Sequence, residues 1–344
     1  MENLSITQLR EKLLKKEISA TEAVNYYLDR IARLEKDLNA YITVNKEDSL
    51  KKAKEFDNNF DKLKDKKLSG IPISVKDVFS TKDIPTTCAS HILDGYKPVY
   101  NATVVQRILD EQAIILGKTN LDQFCHGSGT VTSYYGPTRN PWNKETLPGG
   151  SSGGSSAAVA ADMCTGSLGT ETAGSIRLPA SWCGIVGLKP TYSRVSRYGV
   201  LAMGSSLDSP GPIVKTVEDA AYMLSIIAGY DKNDFTSSKE PVNDYQKLLD
   251  LSKVKGMRLA LPKEYLELDI QDGVRKNFEN SIAILKDLGA IVEEVSVMDP
   301  KFAMAVYTIT CRSEVSSNLA RYDGTRYGLE GSKNSNVKEY YEST

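Results

Sequence analysis

Leu147-Pro148-Gly149-Gly150-Ser151-Ser152-Gly153-Gly154-Ser155-Ser156 runs without interruption into Ala157-Ala158-Val159-Ala160-Ala161. The alanine-rich continuation is a good helix former, so the glycine and serine block reads as a tight loop entering a helix and not as a free linker. Ser151 and Ser152 each satisfy Gly-x-Ser-x-Gly, the nucleophile elbow of α/β-hydrolases, but that arrangement places its histidine after the nucleophile. His91 and His126, the two histidines of the chain, both precede the block. A serine nucleophile here therefore needs another base, and a lysine kept neutral by desolvation is the side chain available. A phosphate-binding loop fails as an alternative, because Gly117-Lys118-Thr119 has Gln112 where that motif needs its first glycine.

Working outward, the chain alternates helical and extended patterns. Residues 4–14 repeat apolar positions at helical spacing, and the capping box Ser19-Ala20-Thr21-Glu22 announces a second helix carried by Val24, Tyr27, Leu28, Ile31 and Leu34. A polar, lysine-rich stretch (46–68) leads to Gly70-Ile71-Pro72-Ile73-Ser74-Val75-Lys76, where strand alternation turns Ser74 and Lys76 away from the aliphatic side. Residues 103–118 read as a helix and the short strand Ala113–Leu116, and a capped helix follows from Thr216 to Gly229. The stretch 230–250 reads as a loop, and 255–297 as strand, helix and strand. In that helix Val274, Phe278, Ile282 and Leu285 form the apolar face, and Gly289 is the stop. Such alternation predicts an α/β fold around a sheet.

The 344 residues, 40% hydrophobic and 25% charged, suffice for one large core or two modest ones. Charges scattered through residues 2–17 exclude a secretory leader, and no apolar run is long enough to span a bilayer, so a soluble cytoplasmic protein is expected. Cys88, Cys125, Cys164, Cys183 and Cys311 are odd in number and scattered, which favours reduced, packed thiols over a disulfide framework or a metal site. A net charge of −1 provides no sequence-wide attraction for phosphate backbones, so any nucleic acid is expected to be gripped by another subunit.

The block from Gly149 to Ala161, followed by Gly169-Thr170-Glu171-Thr172-Ala173-Gly174-Ser175-Ile176-Arg177-Leu178-Pro179-Ala180, resembles the amidase signature family, and Gly70–Asp77 belongs to the same likeness. The segments Arg194–Gly199, Ser205–Asp208 with Gly211-Pro212, and Ser316–Gly328 are similar to the glutaminase subunits of tRNA-dependent amidotransferases within it. The resemblance covers essentially the whole chain. It implies an amidase signature fold, a central mixed β-sheet covered by helices on both faces. One domain over 1–344 is expected, with a helical part (1–68), a catalytic core (69–230) and a C-terminal α/β part (231–344) that is incomplete, since relatives extend past Thr344.

The same likeness implies a Ser-cisSer-Lys centre. Ser175 attacks the side-chain amide of glutamine, Ser151 relays the proton, and neutral Lys76 is the terminal base. Thr172, Ala173, Gly174 and Ser175 are expected to form the oxyanion hole, and Gly127, Ser128 and Gly129 to border the substrate. His126 is either a pocket-lining or a packed histidine. No cofactor or metal is expected in this chain. ATP and Mg would be used by a tRNA-binding kinase, the B-subunit, which would receive the ammonia and amidate misacylated Glu-tRNA or Asp-tRNA, with a small C-subunit in support. Ala173 and Glu171 stand where the family mostly has glycine and aspartate; if residue 173 needs a positive φ, alanine strains the loop. A free-standing amidase and a catalytically silent scaffold remain as alternatives.

Overall fold

The computed structural model describes residues 1–325, 327, 328 and 336–343. Arg326, within one of the family-like segments, lies outside them. Two compact units are present: residues 1–244 with 314–344, and residues 245–313.

The first unit opens with α1 (Ile6–Leu14) and α2 (Ala20–Leu38), begun by reciprocal capping boxes at Ser5 with Gln8 and at Ser19 with Glu22. Both bury one apolar stripe, Ile6, Leu9 and Leu13 in α1 and Val24, Tyr27, Leu28 and Ile31 in α2. The lysine-rich stretch after β1 (Tyr41–Val44) is helical, as α3 (Lys46–Asn58) and the single turn α4 (Phe60–Leu63). Then come β2 (Pro72–Lys76), α5 (Thr103–Asp110), β3 (Ile114–Thr119), α6 (Gly153–Ala160), β4 (Gly166–Glu171), α7 (Arg177–Cys183), β5 (Val186–Gly187), β6 (Ser209–Val214) and α8 (Val217–Ile227). In agreement with the alternation, α6 follows directly from the glycine and serine loop, and Thr216 caps α8 by accepting from the Asp219 N–H at 3.0 Å.

The six strands form one mixed sheet in the order β1-β3-β2-β4-β6-β5. β2 lies parallel to β3 and β4, while β1 runs antiparallel to β3 and β6 antiparallel to β4 and β5. Every residue of β2, β3, β4 and β6 is buried, so both faces are covered. Ser74 and Lys76 therefore point away from the aliphatic side without reaching solvent. Lys76 ends the central strand, at the carboxyl ends of three parallel strands, where open α/β sheets assemble their sites.

The second unit pairs β7 (Arg258–Pro262) with β8 (Ile291–Val295) in parallel, with α9 (Lys263–Leu266) and α10 (Asp272–Asp287) between them. Gly289, at φ +90°, ends the helix segment as expected. The expected core face of α10 is corrected: Ile282 and Leu285 are half-buried, while Val274 and Phe278 are 58% and 44% exposed. Two strands and the single-turn α9 offer too little apolar surface to enclose that face of α10. The helices α11 (Lys301–Leu319) and α12 (Val337–Ser343) complete the described elements. Among these residues no helix is long and apolar enough to cross a membrane.

Candidate active site

The centre is built where β2 and β4 end. Lys76 Nζ stands 2.7 Å from Ser151 Oγ and 3.0 Å from Thr170 Oγ1, and both Lys76 and Ser151 are fully buried. The Gly150–Ser151 peptide is cis. The serine loop is fastened from several sides. Thr130 Oγ1 donates to the Gly149 carbonyl and accepts from the Gly153 N–H, both at 3.0 Å, and Ser155 Oγ lies 2.6 Å from Thr119 Oγ1. Ser175 is 8% exposed and tied in through its backbone, its carbonyl accepting from the Ser152 N–H at 3.1 Å. The Ser175 hydroxyl makes no hydrogen bond among the described residues.

Lys118, one strand over, is the contrasting lysine. It lies 3.0 Å from Asp77, and both are fully buried. Burial pushes the Lys118 amine below its ordinary value, against the pull of that carboxylate. Lys76 makes no ion pair among the described residues. Its Nζ is held instead by two hydroxyls and, at 3.4 Å, the Thr170 carbonyl.

The turn after β4 holds Thr172, Ala173, Gly174 and Ser175, the residues expected to form an oxyanion hole. The N–H groups of Ala173, Gly174 and Ser175 donate to no acceptor among the described residues, and they follow one another beside the Ser175 hydroxyl. Thr172 is half-buried at the start of the same turn. The strain anticipated at Ala173 is absent, because the left-handed φ of +121° falls on Gly174. Glu171 holds the turn: its carboxylate accepts from the Ile176 and Arg177 N–H groups, each at 3.1 Å, and from the Arg177 guanidinium. Burial works against its charge, yet the Arg177 guanidinium and the two N–H groups outweigh it and hold the carboxyl below its usual range.

Sequence reasoning missed Asp122. Its buried carboxylate accepts from the N–H groups of Gly129 (3.2 Å), Thr130 (2.8 Å), Val131 (3.0 Å) and Thr132 (3.3 Å) and from Thr132 Oγ1 (3.1 Å), while its own N–H donates to the Ser151 carbonyl at 3.2 Å. One residue thus joins the 129–132 loop, through its carboxylate, to the serine loop, through its N–H. A Cβ on Gly127 would meet Asp122 Cγ at 2.4 Å, and one on Gly150 would meet Asp122 Oδ2 at 2.3 Å, so neither position admits a side chain. Gly127 and Ser128 are exposed and Gly129 is buried. His126 is exposed and lines a cleft with Phe124, Thr132 and Tyr322. Asp208 is nearly buried, and that burial, with a further push from Cys125, raises its carboxyl to about 7 against the N–H bonds of Met203 and Gly204.

A fully buried lysine thus touches a serine hydroxyl, and a second serine sits in a neighbouring turn of open N–H groups. Residues 22–344 match the family described as Amidase, and the chain belongs to it. It is 50% identical over 326 residues to the A-subunit of glutamyl-tRNA(Gln) amidotransferase from Syntrophobacter fumaroxidans, covering 95% of this chain and 67% of that one. It is 48% identical over 342 residues to the protein of the same name from Carboxydothermus hydrogenoformans, covering 99% and 70%. The crystal structure of the Thermotoga maritima protein of that name superposes with a TM-score of 0.79 at 38% identity, over 98% of this chain and 68% of that one. The peptide amidase of Stenotrophomonas maltophilia superposes with a TM-score of 0.86 at 33% identity, over 96% and 69%.

Proposed function

We propose that this chain is the glutamine-hydrolysing subunit of a tRNA-dependent amidotransferase, working through Ser175, Ser151 and Lys76. The observation that carries the chemistry is the 2.7 Å approach of Lys76 Nζ to Ser151 Oγ inside a pocket that gives the lysine no carboxylate. Ser175 Oγ attacks the amide carbonyl of glutamine while its proton passes to Ser151 and the Ser151 proton to Lys76. The oxyanion is met by the N–H groups of Ala173, Gly174 and Ser175, donors of a kind worth roughly 3–4 kcal/mol each. Lys76 returns its proton through Ser151 to the leaving nitrogen, ammonia departs, and water repeats the cycle to release glutamate. Gly127, Ser128 and Gly129 border the bound amide.

The likeness to the amidotransferase A-subunits supports the assignment of partners. A tRNA-binding kinase, the B-subunit, would use ATP and Mg and receive the ammonia. A small C-subunit would support the pair, and misacylated tRNA would be met only indirectly, in the cytoplasm. Ammonia release from glutamine by the chain with these partners tests the reading. Ser175→Ala and Lys76→Ala should each fall to background, and a wild type as silent as both variants would refute it. The closer superposition on the peptide amidase favours one alternative, a free-standing amidase; turnover of simple amides by the isolated chain identifies that case.

A further inference from the structure

Two cysteines that the hydrolytic cycle does not use, Cys88 and Cys125, hydrogen-bond to one another through their thiols, and Cys125 reaches the Lys76 centre. Cys88 is fully buried and Cys125 is 5% exposed. Their segments are joined directly, the Phe124 N–H donating to the Cys88 carbonyl at 2.9 Å. The Cys88 N–H donates to the Asp77 carbonyl (3.1 Å) and the Cys125 N–H to the Asp122 carbonyl (2.8 Å), so each hangs from a residue that also anchors the site. Cys125 Sγ lies 3.6 Å from Thr170 Oγ1, the hydroxyl that touches Lys76. The backbone is left-handed at Cys88 (φ 53°), Ala89 (55°), Phe124 (49°) and Cys125 (62°), four non-glycine residues held in a conformation that clusters at functional sites.

We propose that Cys88 and Cys125 form an oxidative modification site, joined as a disulfide by a peroxide. Cys125 is the attacking sulfur. Burial pushes its thiol up, but hydrogen bonds with Cys88, the Thr170 hydroxyl and the Lys76 amine act against burial and hold it below the ordinary thiol value. Cys88 is pushed well above the ordinary thiol value by burial and by Cys125, while burial places Cys164 at about 11 and Cys183 at about 12. The Cys125 thiolate attacks one peroxide oxygen; the O–O bond breaks, hydroxide leaves, and the sulfur becomes a sulfenic acid. That hydroxide takes the Cys88 proton. The Cys88 thiolate then attacks the Cys125 sulfur and expels a second hydroxide, which recovers the proton Cys125 had given up. Two thiols and one hydrogen peroxide thus become one disulfide and two waters. The cross-link would remove the sulfur that faces Thr170 and pin the 122–132 segment to residue 88.

The full chain, treated with hydrogen peroxide, unfolded, alkylated and mapped by mass, should yield the Cys88 and Cys125 peptides joined and lighter by two hydrogens, and dithiothreitol should separate them. In Cys88→Ser, dimedone should trap a sulfenic acid at Cys125; in Cys125→Ser neither product should form. Free, alkylatable Cys88 and Cys125 after peroxide, or wild-type Cys125 passing to sulfinic acid as fast as in Cys88→Ser, would overturn the proposal. The mass readout needs no hydrolysis, so its failure is separable from failure of the proposed function. If that function holds, ammonia release should be lost in step with the cross-link and return with the thiols.

Discussion

Asp122 gathers two loops with one side chain. Its carboxylate receives five hydrogen bonds from residues 129–132, and its N–H reaches the Ser151 carbonyl. Asp122→Asn presents an NH2 group to N–H donors and surrenders the charge-assisted share of those bonds, each worth about 1.5–3 kcal/mol. The expected result is a loss of at least about tenfold in kcat/KM, carried mainly by a raised KM, because the loop that borders the amide loosens first. Steady-state kinetics with the variant folded as judged by circular dichroism would check this, and an unchanged KM would count against it. Asp208 belongs to the same scale. Its folded-state value of about 7 lies above the ordinary aspartate value of ~3.9, so between those limits folding binds a proton and stability falls as pH rises, levelling above pH 7. Asp208→Asn keeps an acceptor for the Met203 N–H and cannot ionise. In urea unfolding at pH 5 and pH 8, the variant should gain stability relative to wild type at the higher pH, by about 1.4 kcal/mol for each pH unit between pH 5 and the folded value; an equal difference at both pH values would exclude the mechanism.

At the scale of elements, α1 and α2 share a device: a carboxylate from another helix closes their N-termini. Asp219 of α8 accepts from the Ile6 and Thr7 N–H groups and Thr7 Oγ1, and Asp57 of α3 accepts from the Ala20 and Thr21 N–H groups and Thr21 Oγ1. Asp219 is fully buried and Asp57 half-buried. Asp219→Ala should therefore cost about 2–3 kcal/mol and Asp57→Ala about 1 kcal/mol in chemical unfolding, with the reverse order refuting a role for burial. What is legible in sequence follows the same physics. Ser19 and Thr216 announce their helices because a cap is a local residue pattern, and β2 is legible because its alternation is local too. α3 is not: its buried face is Ser49, Ala53 and Phe56, with a polar residue among only three, and the Asn45 side chain makes no capping hydrogen bond. Lys76 and Ser151 are 75 residues apart, and only the family likeness joins them in advance. Asp122 leaves no signature because it acts on backbone N–H groups, which every residue type but proline supplies. Strain at Ala173 is an open matter in sequence because a local pattern does not say which residue of a turn takes the positive φ; in the structure Gly174 does.

At the scale of the molecule, the serine centre lies wholly within the first unit, among residues 76–175, while residues 245–313 bury few apolar side chains, Ala290 and Cys311 among them. The chain spans 67–70% of the length of the amidotransferase relatives compared with it. The first unit is also where order of manufacture meets architecture. The Ile6 N–H and its acceptor Asp219 are 213 residues apart. A ribosome adding about 5–20 residues per second takes roughly 10–40 s to supply that acceptor. Throughout that interval α1 exists with Ile6, Leu9 and Leu13 still without the α8 neighbours they have in the fold. Birth order and assembly order are thus opposed: α1 is made long before α8, and it closes the unit like a clasp only once α8 has been made.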